Sequence, residues 1–160
     1  MIFVTVGTQL PFDRLIGAVD RWAAMCPDRE VFAQVGPTAV RPAAIAWERF
    51  LAPAECRERM RAADAIVAHA GMGTILGALE LGTPIVVMPR LAARGEHRND
   101  HQLATARRFA GQGSIAVAFD EAELHDALDA LDGLAVRTRI GPHAPASFIE
   151  ALRAFIAGGA

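Results

Sequence analysis

Two stretches of this chain carry residues whose types and spacing suit phosphate and sugar chemistry. The first is "HAGMGT", His69 to Thr74. It ends an apolar run that reads as a buried strand and it begins a helical pattern. Free backbone N–H groups at a helix N-terminus, with no Cβ at Gly71 or Gly73, make an anion site. Thr74 adds a hydroxyl in the first turn, which favours phosphate binding over glycines chosen only for close helix–strand packing. His69, at the strand end beside the glycines, is a candidate ligand contact. Gly71, Gly73 and Gly77 are spaced Gly-x-Gly-x-x-x-Gly, which is not the dinucleotide fingerprint, and they lie mid-chain. The next strand ends in Pro89 and Arg90, with no acid to hold a ribose diol. A nicotinamide cofactor is therefore not expected. A reductase with Arg90 on the 2′-phosphate of NADP is the rival reading.

The second stretch, "RLAARGEHRNDHQ", is the densest polar cluster in the sequence. His97 and His101 are four apart and share a helix face, which suggests zinc. The residue after the first histidine is Arg98, however, where a metalloprotease helix carries Glu. No third ligand stands at a known spacing, so no metal is expected. Asp100 reads instead as the N-cap of a helix carrying Leu103, Arg107 and Arg108. His101 and Gln102 then lie in its first turn, toward a cleft. A third loop, "GTQLPFD", offers a tight turn at Gly7 and a hydroxyl and N–H at Thr8. Its plain alternative is a turn in which Thr8 or Asp13 caps the next helix. Glu80 ends the helix that Gly73 starts, and alone it reads as a solvated carboxylate.

These loops need a frame. "MIFVTV", "EVFAQVG", "AIVAHA", "PIVVMP" and "SIAVAF" are short apolar runs of strand type, with "AIAWERFL" a weaker one. Between them lie helical patterns. One runs from Phe12 to Ala24 and is stopped by Pro27; another runs from Pro53 to about Ala62. Asp120 and Glu123 form a capping pattern ahead of Leu124, Ala127, Leu128 and Leu131. A last helix carries Phe148, Leu152, Phe155 and Ile156, and a flexible tail starts at about 157. Apolar strands alternating with helices predict an α/β fold, a doubly wound parallel sheet covered on both faces. Ligands in such sheets sit at the carboxyl ends of the strands. The loops at 7–13, 69–74 and 90–102 should therefore open on one edge.

The chain has 160 residues, 52% of them hydrophobic and 21% charged, as expected for one globular domain over 1–160 rather than disorder. A net charge of −2 gives no bias toward nucleic acid, which is not an expected partner. All 16 basic residues are Arg, so every side-chain cationic site is a planar guanidinium or a histidine. Cys26 and Cys56 have no metal-type spacing and read as free thiols of a reducing compartment. There is no signal-peptide pattern and no membrane-span-length apolar run. A cytosolic protein is expected, peripheral at the membrane if a partner brings it there.

Three motifs in order, "FVTVGTQLPFDRLI", "ADAIVAHAGMGTILGALELGTPIVVMPR" and "EHRNDHQLATA", resemble the C-terminal, donor-binding half of GT-B glycosyltransferases of family 28. The likeness is greatest to the small stand-alone subunits of that type, those of bacterial exopolysaccharide glucuronosyltransferases and of the dolichol-linked N-acetylglucosaminyltransferase. It implies a Rossmann-like single lobe that binds a UDP-sugar as donor substrate, without other cofactor. It places Gly7 and Thr8 at the donor phosphates and Phe50 and Leu51 beside the uracil. His69, Gly71, Gly73 and Thr74 fall on the diphosphate, and His101 and Gln102 on the sugar. The family's ribose-binding Glu falls at Gly77 here, so either Glu80 or backbone holds the ribose. A GT-B enzyme needs a second lobe. The resemblance therefore implies a membrane-associated partner subunit that binds a lipid-linked saccharide acceptor and carries the catalytic base, with this chain inactive alone.

Arg90, Arg94 and Arg98, in the loop that meets the sugar, would pair with a carboxylate and select glucuronic acid. Facing solvent or an acidic partner surface is the alternative. The function expected is therefore an inverting hexosyltransferase subunit in exopolysaccharide synthesis. The competing class is a non-catalytic nucleotide-sugar sensor or scaffold for a membrane partner. The apolar face at 148–156 either packs on the domain or reaches a partner, and self-association of the isolated chain would follow from the latter.

Overall fold

Three runs, Ile2–Thr5 (β1), Ala65–His69 (β4) and Ile85–Met88 (β5), bury every residue but His69, which is half-buried. Side chains apolar on both faces of a strand require cover on both faces, which parallel sheets obtain from crossover helices. The computed structural model describes residues 1–110, 115–134, 139–141 and 143–158, and among these it has that architecture. With Val31–Gln34 (β2), Ala46–Glu48 (β3) and Ala116–Val117 (β6), the sheet runs β3-β2-β1-β4-β5-β6. Every pairing is parallel.

The pleat divides the core. Ile2 and Val4 face Leu15, Ile16, Val19 and Trp22 of helix α1 (Asp13–Met25) and Leu124 and Leu128 of α5 (Glu121–Asp129). Phe3, Ile66 and Val87 face the other layer, α2 (Pro53–Ala62), α3 (Met72–Leu81) and α4 (His101–Ala110). This is the doubly wound fold the sequence predicts. From β1 the chain winds outward to β2 and β3, then returns to β4 on the other side. The strand order reverses between β1 and β4, and that is where a ligand crevice forms.

Local expectations fared unevenly. Helix α1 starts one residue later than the periodicity suggests, and neither Thr8 nor Asp13 caps it. The Asp13 carboxylate instead accepts from the Thr38 hydroxyl, tying α1 to the loop after β2. Asp100 occupies the N-cap position of α4, since its carbonyl accepts from Ala104 N–H. Its carboxylate is spent elsewhere, accepting from Ala92 N–H at 2.9 Å. Asp120 and Glu123 do cap α5: Asp120 accepts from Glu123 N–H at 2.9 Å, and Glu123 accepts from Phe119 N–H at 2.7 Å. Of the run "SIAVAF", Ser114 lies outside the described residues.

The last helix, α6 (Ala146–Gly158), buries none of its residues. Phe148, Leu152, Phe155 and Ile156 are 49–77% exposed, so this face does not pack on its own domain. The helix continues past 157, where a flexible tail was expected; Gly159 and Ala160 lie outside the described residues. Among the described residues no helix is long and apolar enough to cross a membrane.

Candidate functional site

The carboxyl ends of β1, β2, β4 and β5 open together on a cavity of about 500 Å³ at the β1/β4 reversal. The three polar loops meet there, as the topology requires. Gly7 and Thr8 come from the first loop, His69, Gly71, Gly73 and Thr74 from the second, and Arg90, His97, His101 and Gln102 from the third.

Helix α3 meets the cavity with its N-terminus uncapped. Its N-cap residue is Gly71, which has no side-chain oxygen to offer. The first N–H bonded back into the helix is that of Ile75, to Gly71 O at 3.1 Å. The N–H groups of Met72, Gly73 and Thr74 precede it and have no acceptor within the helix. A Cβ on Gly73 would meet nothing within 4 Å, so open space lies over the first turn. Together with the helix dipole, these donors are what a phosphate needs.

Gly7 and Gly71 have a different reason to be glycine. A Cβ on Gly71 would lie 2.2 Å from His69 Nε2, and one on Gly7 would lie 3.0 Å from His69 Cε1. Gly7 also has φ +74°, a left-handed conformation that favours glycine. The two glycines form a slot for the imidazole, which stands between the first and second loops. Its Nδ1 lies 3.5 Å from the Thr5 carbonyl. Burial, with the nearby Arg90 charge second, pushes its pKa down to about 4, so the ring is neutral at pH 7. Gly7 N–H is engaged too, donating to Thr5 Oγ1 at 3.2 Å.

Arg90 is not available to a substrate. It is 2% exposed. Its guanidinium donates to the carbonyls of Val6 (2.8 Å) and Leu10 (2.7 Å), and to those of Pro11 and Glu96. It also lies 4.7 Å from the Phe12 ring centroid. Arg90 fastens the loop after β1 to the loop after β5. It can hold neither a sugar carboxylate nor a 2′-phosphate, which removes the main support for the NADP reading. Gln102, 4% exposed, helps to fix the same region, with Oε1 accepting from Arg90 N–H at 3.2 Å. His97 and His101 pack edge to face with ring centroids 4.4 Å apart. Among the described residues no cluster of three His, Cys, Asp or Glu is arranged to hold a metal.

Glu80 is not at the site. It lies on the last turn of α3, six residues and so about 9 Å along the axis from Thr74. There it faces Arg57 at 3.3 Å and lines a different depression with Arg61 and Arg139. The side that would carry a carboxylate at Gly77 points to Met60, whose Cε is 3.3 Å from a built Cβ. Leu51 borders the cavity, whereas Phe50 does not line it and is half exposed. Residues that motif reasoning missed are Thr5, Gln34 and Cys56, which line the inner wall. Thr5 and Gln34 had a signal: each is the polar last residue of an otherwise apolar strand, and strand ends are where this fold binds.

A doubly wound parallel sheet, an uncapped helix N-terminus at its reversal point and a polar third loop define a Rossmann-like lobe with an open crevice at the strand ends. The chain belongs to glycosyltransferase family 28: the family's C-terminal domain matches residues 1–135. It is 30% identical to the UDP-N-acetylglucosamine transferase subunit ALG13 of Homo sapiens, over 71% of this chain and 10% of that protein. It thus spans about a tenth of the length of that curated relative. The NMR structure of ALG13 superposes with a TM-score of 0.61 at 18% identity, covering 94% of this chain and 93% of that one. The kitacinnamycin glycosyltransferase gives 0.61 at 22% identity, covering 81% of this chain and 34% of the other. MurG of Acinetobacter baumannii gives 0.55 at 21%, covering 81% and 40%. At these identities the likeness is one of fold, and in the last two proteins it falls on one part of a longer chain.

Proposed function

We propose that this domain is the UDP-sugar-binding lobe of a two-component inverting glycosyltransferase. The observation that carries the reading is the uncapped α3 N-terminus, open over Gly73, at the sheet's reversal point. The diphosphate sits on the N–H groups of Met72, Gly73 and Thr74, with the Thr74 hydroxyl beside them. Thr8 faces it from the first loop, and neutral His69 walls the site. Leu51 borders the uracil, and His101 and Gln102 reach the sugar. As an acceptor hydroxyl attacks the anomeric carbon, the bond to the β-phosphate oxygen breaks and negative charge grows on the departing UDP. The fixed dipoles of α3 stabilise that charge without reorganising. A base takes the proton of the hydroxyl. We place it, with the lipid-linked acceptor, on a membrane-associated partner subunit, and hold this chain inactive alone.

The sugar we propose is glucuronic acid, in exopolysaccharide synthesis. With Arg90 committed and Arg94 3.8 Å from Glu121, the remaining guanidinium of the loop is that of Arg98. It lines a polar annex to the main cavity with Gln9, His97 and Asn99. The acceptor and the pathway rest on the family resemblance alone. Titration calorimetry of the purified chain against UDP, UDP-glucuronate, UDP-N-acetylglucosamine and NADP tests the reading. UDP-sugars should bind and NADP should not. Arg98→Ala should weaken UDP-glucuronate and leave UDP unchanged; equal weakening would remove the carboxylate assignment. Donor binding without transfer when the partner is added would favour a sensor or scaffold.

A further inference from the structure

We infer that Gln34, at the carboxyl end of β2, is the ribose contact of this domain, replacing the carboxylate that Gly77 and the distant Glu80 cannot supply. The inference rests on the donor-lobe reading above. Gln34 is 3% exposed, yet it lines the main cavity. Its Oε1 is spoken for, accepting from Thr5 Oγ1 at 3.0 Å and facing Cys56 Sγ at 3.9 Å. Thr5 Oγ1 in turn accepts from Gly7 N–H, so this hydroxyl ties the first loop to the Gln34 amide. Nε2 makes no hydrogen bond among the described residues. Nor is it sealed in, because the one buried unpartnered side-chain polar atom among them is Arg14 Nη1. A side chain 97% buried with an accessible amide nitrogen can present it only where it meets the cavity. Gln34 therefore presents its amide nitrogen to the cavity without an acceptor among the described residues, and such groups are costly unless something fills them.

The order of the strands says what fills it. The base borders Leu51, in the segment after β3, and the diphosphate caps α3, after β4. Between β3 and β4 lie β2 and β1, so those ends are three strand spacings apart, about 14 Å. Ribose joins base to diphosphate and must cross the ends of the intervening strands. Gln34 ends β2. A ribose hydroxyl oxygen accepts from Nε2, and the Oε1–Thr5–Gly7 relay holds the amide in place for it.

The test is calorimetry with UDP and with its 2′,3′-dideoxy analogue, on wild type, Gln34→Met and Gln34→Asn. Met keeps the volume and deletes the donor; Asn keeps the chemistry and withdraws it by one methylene. Loss of one hydrogen bond should weaken UDP by about three- to tenfold in both variants and leave the dideoxy analogue unchanged. Wild type alone, whatever the variants' stability, should prefer UDP to the analogue by a similar factor. Equal loss for both ligands, or no wild-type preference, would overturn the ribose assignment and leave the donor-lobe reading intact. Absence of any UDP binding by wild type would overturn both.

Discussion

Adding one methyl group at Gly71 and one at Gly73, two residues apart, should have opposite effects on stability. Gly71 has φ −90° and ψ 131°, which any residue adopts, so Gly71→Ala carries no backbone strain. The cost is steric. The new Cβ would stand 2.2 Å from His69 Nε2 and 2.7 Å from Cδ2. The imidazole must leave a slot whose opposite wall, Gly7, is also in contact with it. Overpacking of this kind costs about 1–3 kcal/mol. For a domain of this size that lowers Tm by roughly 2–12 °C. Gly73 has open space over its Cβ position and lies in the first turn of α3. Gly73→Ala should raise stability by up to about 1 kcal/mol, through lost freedom of the unfolded chain. It should also weaken UDP, because the methyl group occupies the space over the anion site. Calorimetric melting of the two variants, with UDP titration of each, reads both signs. His69→Ala should rescue Gly71→Ala, and the coupling in that double-mutant cycle isolates the collision. If Gly71→Ala melts with wild type, His69 does not occupy the slot between Gly7 and Gly71. If Gly73→Ala binds UDP as wild type does, the phosphate does not sit over α3.

Three further outcomes follow from the same contacts. His69 is neutral in the fold with a pKa near 4, against 6.5 unfolded, so the unfolded chain binds the extra proton between those values and stability should fall by up to about 3 kcal/mol as pH drops from 6.5 to 4; urea unfolding across that window should show the slope, and His69→Gln should flatten it. Arg90→Lys should destabilise by about 1–3 kcal/mol in urea, because one ammonium cannot reach the carbonyls of Val6, Leu10, Pro11 and Glu96 together and leaves buried acceptors unpaired. Phe155→Ser with Ile156→Ser should shift Tm by no more than about 2 °C, since both are more than 70% exposed, while reducing self-association of the isolated chain in light scattering.

Much of this molecule was legible from residue order. Apolar runs broken by helical periods fixed a doubly wound sheet, because a strand apolar on both faces has few other places to go. The "HAGMGT" stretch located the uncapped helix start at the cavity, since a helix start without a Cβ or a capping oxygen leaves its donors free wherever the helix lies. What pattern could not supply was the spending of individual polar groups. Arg90 reads in one dimension as a free cation for a carboxylate; in three it is consumed by carbonyls up to 84 residues away. Glu80 reads as one turn from the missing acid's position, but α3 carries it away from the cavity to Arg57. Gly71 reads as room for phosphate and proves to be room for His69. Gln34 reads as the tail of a strand, and only the tertiary structure shows it buried with its side chain at the cavity. Periodicity depends on neighbours along the chain, which the sequence contains. Hydrogen-bond partners depend on which distant loops share a sheet edge, and that was decided when the chain folded.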